Sequence, residues 1–224
     1  MLTWDGLSEL DAYQVTEIPR RPAPDQPADA GRTQRVAALV AAYHAGAESK
    51  NDQAGALAIG WLRPSAGGPV QFLAAGAALA SRDADAEVFL TLPGGARATP
   101  LPRGSVTGLL ARLPCWRTIG AISDGLLAGD ERLAGDRSSP SMEDCLLAVW
   151  PGPFGMLLVA EPLGAQRIGE VADEIAHREQ QSPDRRLRLR HAELRKSTST
   201  GLWRVRLLAG GADRGSASRV AGLV

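Results

Sequence analysis

The stretch Gly210-Gly211-Ala212-Asp213-Arg214-Gly215-Ser216-Ala217 comes nearest to a phosphate-binding loop. Such a loop needs two glycines with four residues between them, then a lysine to reach the outer phosphates and a Ser or Thr to hold magnesium. Gly210 and Gly215 meet the spacing. Ser216 stands in place of the lysine, Ala217 in place of the hydroxyl, and Asp213 would repel a phosphate. An ordinary tight turn between a strand and a helix is the better reading, and no cofactor is assigned to this chain. Metal chemistry finds no footing: His44, His177 and His191 are isolated and Cys115 and Cys145 form no CxxC. The stretches 104–108 and 120–125 both miss the Gly-x-Ser-x-Gly elbow of a hydrolase. Glu143, Asp144 and Glu161 are carboxylates that sequence cannot pair. No complete catalytic motif survives, and an enzyme built from convergent groups would need a pocket joining two or more of those histidines and cysteines.

The best candidate for a working surface is the basic stretch 184–196. Arg185, Arg186, Arg188, Arg190, Arg195 and Lys196 stand there against Asp184 and Glu193, a net of +4. On a helix these arginines spread around the axis while Leu187 and Leu194 point inward. A phosphate-backbone contact is open to them, but no aromatic residue lies between the charges to stack bases. A solvated helix paired with an acidic partner is the plainer reading. An acidic partner lies in the chain itself: residues 1–31 carry six acids against Arg20 and Arg21, a net of −4, with prolines at 19, 22, 24 and 27.

Behind these groups stands an ordinary globular composition, 224 residues with 44% apolar and 22% charged. The 25 basic and 25 acidic residues cancel, so net charge gives no general pull toward nucleic acid or anionic lipid. No run approaches the roughly 18 apolar residues of a membrane span. The acidic start lacks the positive-then-apolar order of a secretory signal. The expectation is a cytoplasmic protein whose two cysteines act as small hydrophobes.

Residues 1–31 read as an acidic, Pro-rich, partly disordered arm, with Trp4, Leu7, Leu10 and Tyr13 as anchors at helical spacing. Residues 32–150 read as an α+β domain. Val36, Leu39, Val40 and Tyr43 mark a helix capped by Thr33. Residues 56–62, 70–75 and 87–92, bounded by Gly and Pro, read as strands of an antiparallel meander. Residues 105–113 form a short helix stopped by Pro114. Residues 151–224 read as a β-α-β-α unit. The apolar run 154–160 is a strand buried on both faces, and a helix follows from Gly164, broken at Ser182-Pro183. Residues 202–209 form a strand with Arg204 and Arg206 on one face, and residues 212–224 the last helix. The fold class is α+β, mainly antiparallel sheet with packed helices, its C-terminal part a split βαβ-like unit on the same core. The last helix stops as its apolar face of Val220, Leu223 and Val224 is forming. That pattern implies a docking end, or a chain that continues past Val224.

The strings Ser141-Met142-Glu143-Asp144-Cys145-Leu146-Leu147-Ala148-Val149-Trp150-Pro151-Gly152-Pro153-Phe154 and Gly201-Leu202-Trp203-Arg204-Val205-Arg206-Leu207-Leu208-Ala209-Gly210-Gly211 carry a resemblance. They resemble the amino-terminal, pre-motor region of large actinobacterial ATP-binding proteins related to the HerA/FtsK superfamily of ring-forming ATPases. The likeness covers residues 141–224 best, 54–117 less, and the acidic arm not at all. It implies an α+β accessory or assembly domain of a translocase, with ATP hydrolysis residing in a motor outside these residues. The lysine-bearing phosphate loop and the acidic Walker B strand are not in this chain, so no catalytic residue carries over. The expected partner is a protein, or the remainder of a longer chain, reached through the C-terminal helix; a homo-oligomer and a nucleic-acid contact stay open. The alternative is a free-standing interaction or adaptor protein without enzymatic activity.

Overall fold

The computed structural model describes residues 6–7, 10–17, 44, 55–76, 80–82, 88–90, 96–119, 146, 150–182, 184–185, 187–188, 190–192, 194 and 201–223. Two ten-residue strands form the spine of the fold, β8 (Phe154–Leu163) and β9 (Leu202–Gly211). They pair antiparallel from Gly155↔Gly210 to Leu163↔Leu202. In β8, Phe154 and Met156 point to one face and Leu157 and Val159 to the other, and all four are buried. A strand apolar at consecutive positions has no wet face, so it needs cover on both sides. The expected two-sided burial of this run is what the structure has.

Seven shorter strands complete an all-antiparallel sheet: β1 (Ala12–Glu17), β2 (Leu57–Arg63), β3 (Gln71–Ala75), β4 (Ala80–Arg82), β5 (Val88–Leu90), β6 (Arg97–Leu101) and β7 (Cys115–Ile119). Among the described residues the order is β4-β5-β6-β1-β3-β2-β8-β9-β7. The α+β class stands. The three strands read from sequence, in 56–62, 70–75 and 87–92, correspond to β2, β3 and β5.

Helix α1 (Ser105–Ala111) covers the first face. Its Val106 and Leu110, one turn apart, pack with Leu113 on Leu62, Leu157, Val159 and Leu208. Helix α3 (Arg214–Gly222) covers the second face beneath β8 and β9. Val220, fully buried, joins Phe154, Met156, Ala209 and Leu146 there. Burying a side chain of that size stabilises by about 1.5–3 kcal/mol. The apolar side of the last helix is thus seated on the protein's own sheet.

The expectation for the N-terminal arm is corrected over residues 12–17, which form β1 inside the sheet, between β6 and β3. Tyr13 and Val15 face the second side, while Ala12 lies with Leu7 and Leu10 on the first. Of the arm's six acids, Asp11 and Glu17 are described; they flank the strand, where Glu17 meets Arg97 at 3.6 Å and Asp11 meets Arg103 at 3.9 Å. Trp4, the prolines at 19–27 and the helix expected over residues 33–43 lie outside the described residues.

Strands β6 and β7 have no counterpart in the sequence reading. Pro100 in β6 lies across from Tyr13 of β1, past the β5–β6 pairs Val88↔Ala98 and Phe89↔Arg97. The split βαβ expectation for the C-terminal part also gives way. In that motif a helix crosses over between parallel strands that leave room for a third. Here β8 and β9 are direct antiparallel neighbours, so their helix is an insertion into a strand hairpin.

Candidate functional site

The insertion opens immediately after Leu163. Helix α2 (Ala165–Gln181) begins at Gly164, whose carbonyl accepts from the Ile168 N–H at 3.1 Å. Seventeen residues at 1.5 Å each make it about 25 Å long. Ile168, Val171, Ala172 and Ile175 recur at helical spacing, giving the expected stripe, and each is half-buried. The other side is wet and laced with short ion pairs, Arg167–Glu170 and Arg178–Glu174, both at 2.6 Å. Hydrogen bonding and charge from Arg167 hold the Glu170 carboxyl below its usual range.

Ser182 takes an extended backbone and ends α2 at the expected break. The chain then doubles back in a second helical segment within 185–194, where Leu187 is half-buried and Leu194 buried, both as expected. His191 Nδ1 lies 3.5 Å from Glu179 Oε2, which fastens the returning segment to α2. The product is a helical hairpin growing out of the end of β8 and β9.

Of the six basic candidates, Arg185, Arg188 and Arg190 are described, and all three are exposed on the returning segment. Arg186, Arg195 and Lys196 lie outside the described residues. Arg185 and Arg188 are one turn apart, but Arg190 is rotated about 200° from Arg188, so the three do not form one stripe. A helix reading a duplex backbone would gather its charges on one side, which this segment does not do with its described arginines.

The root of the hairpin is pinned by residues far apart in the chain. His44, isolated in the sequence, is buried, its Nε2 2.9 Å from the Leu163 carbonyl oxygen. Its ring meets Trp203 edge-on at 5.8 Å. Gly201 has φ +80°, and a Cβ there would collide with the His44 ring. Left-handed backbone and lack of room both require glycine at 201.

A second, largely buried ion pair joins the sheet's two long strands. Arg206 Nη2 approaches Glu161 Oε2 at 3.3 Å, with the two side chains 21% and 10% exposed. Glu161 faces Arg204 directly across the β8–β9 ladder. The sequence signal was a lone acid in an otherwise apolar strand opposite the alternating Arg204 and Arg206. It became legible only once the register was known.

The groups weighed for catalysis are dispersed. His44 serves the hairpin root, His177 lies 2.8 Å from Gln181, His191 meets Glu179, and Cys115 sits half-buried on β7. Cys145 lies outside the described residues. Among the described residues no group of three or more His, Cys, Asp or Glu could hold a metal ion, and no helix is long and apolar enough to cross a membrane.

The glycine loop takes the tight-turn form. Gly210 and Gly211 belong to β9, and Gly215 lies in the first turn of α3. Asp213 caps the helix by accepting from the Ser216 N–H at 2.6 Å, which holds its carboxyl below the usual range. A Cβ on Gly211 would lie 2.5 Å from the Ala217 backbone nitrogen, so strand and helix meet too closely there for any side chain. The helix amides that could greet an anion are already met by the chain's own carboxylate. Comparison with protein-family models, curated proteins and solved structures finds no match to the chain.

Proposed function

We propose that this chain is a non-catalytic accessory or assembly domain of an ATP-binding, translocase-like protein of the actinobacterial HerA/FtsK-related kind, working in the cytoplasm through contacts. The observation that carries the reading is the helical hairpin inserted between β8 and β9. Leu163 and Leu202 pair directly, so a two-residue turn would suffice to join the strands. The chain instead orders a second layer of helix with a charged outer surface, and none of the described α2 side chains is fully buried. Ordering each of those residues costs about 1–2 kcal/mol of backbone entropy, offset in part by the half-buried stripe. Such a structure contributes surface more than core.

The adaptor alternative draws on a different observation: the apolar side of α3 is covered by its own sheet, with Val220 fully buried. A partner reached through the last helix would have to use its other sides.

The test is to delete residues 165–200, which joins Gly164 to Gly201 as a Gly-Gly turn between paired leucines. The expected result is a chain that keeps its cooperative unfolding transition but no longer co-purifies with the ATP-hydrolysing component of its host assembly. Unchanged co-purification, or ATP turnover by the purified parent chain alone, would overturn the proposal.

A further inference from the structure

No further inference is drawn: the strongest candidate, the apolar patch that half-buried Leu57, Ile59, Leu158 and Leu207 form with exposed Val205 on the second face of the sheet, carries nothing because nothing in the structure shows what covers it.

Discussion

Trp116 fixes where β7 ends against β9, and two glycines make its place. Gly155 and Gly210 are opposite each other on β8 and β9, and Trp116 pairs with Gly210 from the other side. The indole lies across both glycines, its Nε1 donating to the Leu110 carbonyl at 3.3 Å. Replacing Gly155 with Ala places a Cβ 2.5 Å from Trp116 Cη2, 2.7 Å from Leu113 Cδ1 and 3.0 Å from Leu62 Cδ2. Carbon atoms pack best at about 3.5–4.0 Å, so the first two contacts are about 1 Å too close. The ring cannot slide toward β9, because a Cβ built on Gly210 already lies 2.9 Å from the same indole. Leu62 and Leu113 are fully buried and have no free space to retreat into. Overpacking of this kind costs about 1–3 kcal/mol, and three contacts on rigid neighbours place Gly155→Ala near the upper end.

The assay is urea denaturation of Gly155→Ala, Trp116→Leu and the double variant. Trp116→Leu alone should cost about 2 kcal/mol, since the ring is half-buried and its loss leaves a partial cavity. Once the indole is gone the added methyl has room, so the double variant should be more stable than the sum of the singles by at least about 1 kcal/mol. Simple additivity, or Gly155→Ala within about 0.5 kcal/mol of the parent, would refute the platform argument.

Two further predictions concern charge. Glu161→Gln removes the carboxylate facing a largely buried Arg206 and should cost about 3 kcal/mol, the lower end of the range for breaking a buried pair because Arg206 keeps a fifth of its exposure; Glu161→Leu with Arg206→Met should return most of that loss in a double-variant cycle. Asp213 has its carboxyl held low by the Ser216 N–H, so its capping contribution is full above the ordinary carboxylate range and fades as pH falls through the lowered value. The Tm difference between the parent and Asp213→Ala should therefore be constant near neutrality and shrink below about pH 4; a difference that grows on acidification would contradict the cap.

The elements that follow from local pattern alone were legible in the residues. The apolar run at 154–160 exceeds what one wet face could tolerate, and the three- and four-residue spacing of Ile168, Val171, Ala172 and Ile175 admits only a helix. Alternation placed Arg204 and Arg206 on one face, and Gly and Pro bounded β2 and β3. Pairing was not legible, because a strand carries no mark of its neighbour. β1 offers only six residues between acids and prolines, and its place in the sheet depends on β3 and β6 lying on either side. Direct pairing of β8 with β9 turned an expected crossover into a hairpin with an inserted helical arm. It also brought Glu161 to Arg206. His44 was the same kind of case: its burial comes from Leu163, Gly201 and Trp203, more than a hundred residues away. Local periodicity fixes which segments become helix or strand, since it acts within a few residues. The candidate surfaces were decided by contacts between segments far apart in the chain, which only the folded register brings together.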